Sequence, residues 1–178
     1  MKIIFLDIDG VLNNEVFPNA FWAILKQAEL KREQAKSLHK IVMRDDYGNY
    51  FCPTATNALA YLIENTKAKI VISSTWRFMG EEKIKQMWID RKLPGEVIGV
   101  TGRHDTRHRG EEINDWIDNW TTENAEIMNY VIIDDDDDMM PHQKNCFIHT
   151  NPTYGLTFDD AAKAIEILGE ILHPLSYN

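Results

Sequence analysis

Apolar positions along the chain fall into short unbroken runs separated by longer stretches in which they recur at helical spacing. Residues 3 to 6, Ile3-Ile-Phe-Leu6, are branched or aromatic without polar alternation, the pattern of a strand covered on both faces of a parallel sheet. Similar runs predict strands near 2–7, 69–73, 97–100, 130–133 and 146–149. Helical periodicity predicts helices near 55–66, 80–91, 110–120 and 158–172. The last of these is well marked: Thr157 can cap its N-terminus, Asp159 and Asp160 lie in its first turn, and Ala161, Ala164, Ile165, Leu168 and Leu172 form an apolar stripe. This alternation predicts an α/β fold, a doubly wound, mostly parallel sheet with helices on both faces.

The segment from Asn13 to Pro53 interrupts that alternation. Within it Phe21, Ile24, Leu25, Ala28, Ala35, Leu38 and Val42 recur at near-helical spacing, so Ala20 to Met43 reads as one long helix or two shorter ones.

Composition adds bounds. At 178 residues the chain fits a single soluble domain spanning 1–178, with 13–53 as an insert inside it. No apolar stretch approaches the roughly 20 residues needed to cross a bilayer, and Asp7 and Asp9 interrupt any signal-peptide pattern at once. Two cysteines, Cys52 and Cys146, are too few for a disulfide framework, so a cytoplasmic location is expected; Cys146 is expected to pack in a strand. The formal net charge is −9, yet Lys26 to Arg44 carries Lys26, Lys31, Arg32, Lys36, Lys40 and Arg44 against only Glu29 and Glu33. That basic stretch is either a solvated helix face or a surface that steers a polyanion, with Arg103, His104, Arg107 and His108 as further basic candidates. Trp22, Tyr47, Tyr50 and Phe51 could stack a base or form the insert's own small core.

The chemistry concentrates where two apolar runs end. Asp7 and Asp9 close the first run, and Gly10 permits a sharp departure from strand geometry just beyond them. An Asp-Gly turn would explain this pair without function. Five consecutive carboxylates, Asp134 to Asp138, close the run beginning at Tyr130. Like charges so placed repel unless a cation compensates, and hard oxygen ligands suit Mg²⁺. Zinc is not expected, because the six histidines show no paired ligand spacing. There is also no GxxxxGK[ST] loop and no GxSxG elbow.

Taken together these residues resemble the haloacid dehalogenase-like (HAD) phosphohydrolases. Asp7-Ile-Asp-Gly-Val-Leu12 is similar to the first motif of that family, Lys69-Ile-Val-Ile-Ser-Ser-Thr-Trp-Arg77 to the second, Arg109 within Arg107-His-Arg-Gly-Glu-Glu-Ile113 to the third, and Ile133-Asp-Asp135 to the fourth. All four occur in family order, although Arg109 stands where most relatives carry Lys. Ser73-Ser-Thr-Trp-Arg77, Arg109-Gly-Glu-Glu-Ile-Asn-Asp-Trp116 and Thr150-Asn-Pro-Thr-Tyr-Gly-Leu-Thr157 resemble the HAD branch associated with predicted RNA-repair proteins.

The resemblance implies a three-layer HAD-like Rossmannoid with a small helical cap insert, and a phosphoric monoester hydrolase. It implies Asp7 as nucleophile, Asp9 as acid and base, Ser74 and Arg109 as catalytic donors, and Mg²⁺ held by Asp7, the Asp9 backbone carbonyl and Asp134 or Asp135. Asp138 would orient a metal-bound water. Ser73 is the alternative to Ser74, and Gly10, Thr75 and Arg77 are the remaining substrate-side candidates; Arg77 either meets the phosphate or pairs with the acidic run. The expected substrate is a nucleic-acid end or nucleotide, or else another small phosphorylated metabolite, with no membrane and no obligate protein partner; a non-catalytic metal-binding scaffold is the remaining alternative.

Overall fold

In the computed structural model, residues 1–28, 31–102, 108–123, 127 and 129–169 are described. The chain runs β1 (Lys2–Leu6), α1 (Val16–Gln27), α2 (Arg32–Val42), β2 (Arg44–Asp45), β3 (Gly48–Asn49), α3 (Pro53–Thr66), β4 (Lys69–Ile72), α4 (Glu81–Asp90), β5 (Val97–Val100), α5 (Arg109–Glu123), β6 (Asn129–Asp134), β7 (Phe147–His149) and α6 (Phe158–Ile167). Two 3-10 turns, Thr75–Met79 and Pro141–Cys146, follow β4 and precede β7.

Five strands form one parallel sheet in the order β5-β4-β1-β6-β7. The alternation of side chains along these strands sends Ile4, Leu6, Ile70, Ile72, Val131 and Ile133 to one face, where α3, α4 and α6 cover them with Leu59, Leu62, Met87 and Ile165. Ile3, Phe5, Val71 and Ile132 go to the other face, under Ile113, Trp116 and Ile117 of α5. Right-handed crossovers account for this division. The path from β1 through β4 to β5 moves one way along the sheet and keeps α3 and α4 together, whereas the return from β5 to β6 places α5 opposite. Both layers are closed at the centre: Phe5 and Leu59 are fully buried, each contributing about 1.5–3 kcal/mol, and Phe5 meets Trp116 edge-on at 5.5 Å.

The predicted α/β fold class and the strand positions agree with this sheet to within a residue or two. The last helix is described only to Ile167, capped as expected by the Thr157 hydroxyl, which accepts from the Asp160 amide; Leu172 lies outside the described residues. Cys146 ends a 3-10 turn immediately before β7 rather than lying in the strand, and Met140 and Pro141 open that turn. The insert resolves the choice left open by periodicity: α1 and α2 are separate helices. It also contains an unpredicted hairpin, in which Arg44 pairs with Asn49 and Asp45 with Gly48. Two-residue strands carry too little pattern to be read from sequence.

The hairpin is fastened to the sheet domain by a buried cation. Arg91, just past α4, donates from Nε and Nη2 to the two Asp45 carboxylate oxygens at 2.8 and 2.7 Å. Its guanidinium lies 4.6 Å from the Phe51 ring centroid and 5.9 Å from those of Tyr47 and Trp76. This bidentate pair beneath aromatic faces holds the Asp45 carboxyl below the ordinary carboxylate range, the Arg91 hydrogen bond being the leading cause. Tyr50 and Phe51 therefore surround Arg91, and Trp22 stacks on His39 at 4.8 Å.

Candidate active site

The carboxyl ends of β1, β4 and β6 meet at one edge of the sheet, where parallel α/β folds bind ligands. Asp7 directly follows β1 and is 5% exposed; its amide donates to the Ile133 carbonyl at 3.0 Å, holding it against the end of β6. Asp134, at the end of β6, is 1% exposed. Arg109, the first residue of α5, reaches both: its Nη1 lies 3.1 Å from Asp7 Oδ1 and 3.4 Å from Asp134 Oδ2. The α5 N-terminus is fixed by Asp138, whose Oδ2 accepts from the Arg109 amide at 2.9 Å. Gly110 is needed there, since a Cβ would fall 2.4 Å from Gln143 Oε1 and 2.5 Å from the Met140 amide nitrogen.

Burial and mutual repulsion govern the charge of this cluster. Burial pushes the Asp7 carboxyl up to about 6, opposed by the Arg109 guanidinium and a hydrogen bond from the Ser74 hydroxyl. Burial, then the Asp7 charge, pushes Asp134 up to about 8, again opposed by Arg109. Asp135 is also raised, by burial first and then by Asp136. Among the described residues three carboxylates face one guanidinium, so positive charge from them is short.

Asp7, Asp134 and Asp135 each offer an oxygen, and all these oxygens lie within 4.8 Å of one another. Asp134 Oδ1 accepts from the Asp136 amide at 3.0 Å, whereas the buried Oδ2 has no hydrogen-bond partner among the described residues. A buried oxygen that accepts no hydrogen bond, with Arg109 Nη1 3.4 Å away, in a set of hard donors fits a divalent cation such as Mg²⁺. Gly10 makes the set possible. Its φ is +69°, and a Cβ there would lie 2.1 Å from Asp135 Cγ, so only glycine lets that carboxylate approach.

Asp9 has different surroundings. It is exposed, and neutral donors hold both its oxygens: Asn13 Nδ2 donates to Oδ1 at 2.9 Å and Trp76 Nε1 to Oδ2 at 3.0 Å. Its carboxylate is not among the three that converge.

The other expected residues divide. Ser74, buried at the end of β4, bonds Asp7, whereas the buried Ser73 faces Thr101, whose hydroxyl lies 3.5 Å from its own. Thr75 is exposed at the start of the turn. Arg77 is not brought to Asp7, and its partner is not the acidic run: Nη2 pairs with the buried Glu112 at 2.7 Å and Nη1 donates to Thr101 at 2.7 Å. Asp138 is turned to the α5 backbone. His149 Nε2 lies 2.9 Å from the Asp135 carbonyl oxygen, and His142 lies 3.3 Å from Asn114. Lys26, Lys31, Arg32, Lys36, Lys40 and Arg44 are all exposed. His108 is exposed beside Asp138, and Arg103, His104 and Arg107 lie outside the described residues.

Sequence reasoning missed Trp76 and Asn13 as partners of Asp9, and Glu112 as the partner of Arg77. Asn13 lies four residues from Asp9, within reach of a tight turn around Gly10, and that spacing was the one available signal. The other two contacts join segments far apart in the chain.

A family model described as "HAD domain in Swiss Army Knife RNA repair proteins" matches residues 3–161 of this chain. No curated protein and no solved structure gives a match.

Proposed function

Since the chain belongs to the HAD domains of Swiss Army Knife RNA repair proteins, we propose that it is a Mg²⁺-dependent phosphatase that removes phosphate from nucleic-acid ends or nucleotides through an aspartyl-phosphate. The observation that carries this reading is Asp7: a buried carboxylate held by Ser74 and Arg109 and converging with Asp134 and Asp135.

An Asp7 oxygen attacks phosphorus, the bond from phosphorus to the leaving oxygen breaks, and Asp9 gives its proton to that oxygen. Asp9 then takes a proton from water as the water attacks the aspartyl-phosphate, which releases phosphate and restores Asp7. Arg109 and Ser74 donate to the transferring group, and Gly10 leaves room for Asp135 beside it. A divalent cation held by Asp7, the Asp9 carbonyl and Asp134 or Asp135 would offset the repulsion between a carboxylate nucleophile and a phosphate dianion. Asp9's exposure supports its role, because a group that must meet both leaving group and water needs access to solvent.

In this reading residues 1–178 are one domain and the insert at 13–53 is a small cap. Its exposed basic side chains draw a polyanion toward the acidic site, and a polyanion is more consistent with nucleic acid than with a compact metabolite. A cytoplasmic setting accords with two free cysteines. No helix among the described residues is long and apolar enough to cross a membrane.

The test measures phosphate release with and without Mg²⁺ from 3′- and 5′-phosphorylated oligonucleotides, mononucleotides and sugar phosphates at two salt concentrations. Oligonucleotide turnover is expected to be metal-dependent and to fall with salt, and Asp7→Asn to lower it by about four orders of magnitude or more. Undiminished turnover in Asp7→Asn would sink the mechanism, and equal, salt-independent rates on all substrates would sink the nucleic-acid assignment.

A further inference from the structure

A cavity of about 300 Å³ opens beside Asp9, lined by Tyr47, Thr75, Trp76, Phe78 and Met79. It is joined to the reacting groups at two points. Trp76, part of its wall, donates through Nε1 to Asp9 Oδ2 at 3.0 Å, and Thr75 directly follows Ser74, whose hydroxyl bonds Asp7. By contrast, the cavity over Gly95, Glu96 and Val97 lies at the amino end of β5, the opposite edge of the sheet.

Position and lining together identify an occupant. An acid that protonates a leaving oxygen stands within hydrogen-bond reach of it, so the remainder of the leaving group extends past Asp9. The wall next to Asp9 is the Trp76 indole, and Tyr47 and Phe78 add two more rings, Phe78 being 66% exposed. The volume lies at the lower limit of small-molecule sites, roughly 300–1,000 Å³. Rings stack sequence-tolerantly on nucleobases. Two of its walls are held before binding, since Arg91 ties the hairpin that carries Tyr47 through Asp45 and faces the Trp76 ring as well. Such preorganisation lowers the ordering cost of binding.

We infer that this cavity is the leaving-group subsite and that it takes a planar heteroaromatic ring, the base of the nucleotide whose phosphate is removed. This rests on the phosphatase reading above and deepens it by naming the part of the substrate that the protein grips.

The test uses the full chain with Mg²⁺ and compares kcat/KM for adenosine 5′-monophosphate and adenosine 3′-monophosphate with that for ribose 5-phosphate, which lacks the base. The wild type favours at least one of the nucleotides. Phe78→Ala is expected to lower that nucleotide-to-ribose-phosphate ratio about ten-fold, and Phe78→Tyr, which keeps a ring, to restore it to within about two-fold. An unchanged ratio in Phe78→Ala overturns the subsite. If the wild type releases phosphate from no substrate, the phosphatase reading fails and the subsite is decided by calorimetric binding of the two nucleotides: a Kd about ten-fold weaker in Phe78→Ala upholds it, and absence of binding or an unchanged Kd overturns it.

Discussion

Asp7 and Asp9 leave the same strand end two residues apart and enter opposite surroundings. Asp7 turns inward to a cluster governed by full charges: Arg109, Asp134 and Asp135, under burial that pushes its carboxyl up to about 6. Asp9 turns outward and is held by two neutral N–H donors, Asn13 and Trp76, at a surface open to water. The chain bends at Ile8, between them, and Gly10, with its positive φ and missing side chain, admits Asp135 to the Asp7 side. In the proposed mechanism these surroundings give identical residue types different work, the nucleophile in a buried, charged setting and the proton carrier in an exposed, neutral one.

The largest way to break this contrast is to remove the proton from Asp9. Asp9→Asn is expected to lower kcat/KM by about 10² to 10⁴-fold on alkyl phosphates and much less on p-nitrophenyl phosphate, whose leaving oxygen needs no protonation. Equal losses of kcat/KM on both, a ratio set by the steps up to the aspartyl-phosphate and blind to its hydrolysis, would mean that Asp9 is not the acid.

On the Asp7 side the contrast is sharpened by pH. Asp7 and Asp134 have carboxyls raised in the folded state above the ordinary 3.8. In metal-free protein the folded state therefore holds protons that the unfolded chain has released, and the stability these two groups contribute, fully present below about pH 4, is lost as pH rises through about 6 and about 8. Thermal unfolding should show Tm falling over that window, a shallower fall in Asp134→Asn, and recovery of about 2–3 kcal/mol at pH 8 with Mg²⁺ at a hundred times its Kd. A Tm that rises from pH 4 to pH 8 in EDTA would contradict this account.

The smallest effect isolates one neutral donor. Trp76→Phe removes the N–H bonded to Asp9 while keeping an aromatic ring, and should cost about ten-fold on alkyl phosphates with little change on p-nitrophenyl phosphate. A purely structural role for Trp76 would depress both substrates alike.

Much of the Asp7 side was legible in the sequence because its signals are local. Ile3 to Leu6 announce a two-faced strand, Asp7 stands at its end, and the acidic run closes a second apolar strand at Ile133. Thr157 and Asp160 mark the start of α6 in the same local way. The Asp9 side was hidden because its partners are joined by folding alone: Trp76 lies 67 positions from Asp9. Arg77 shows the same limit, since Glu112 lies 35 positions away and nothing local distinguishes it from the acidic run as a partner. The hairpin at 44–49 escaped for a different reason, its strands being too short to show a period of two.

The sheet order carries a consequence for how the chain assembles. β1 is the central strand, yet its partners are residues 69–72 on one edge and 129–133 on the other. Until β4 and then β6 emerge from the ribosome, Ile3, Ile4, Phe5 and Leu6 present two bare hydrogen-bonding edges with at most α3 to cover one face, a condition open to mispairing between chains. Such distant pairings also predict slow folding. A segment that must pass through synthesis unpaired gains from being brief, and five residues ending in acids and a glycine give an intermolecular strand little length on which to extend.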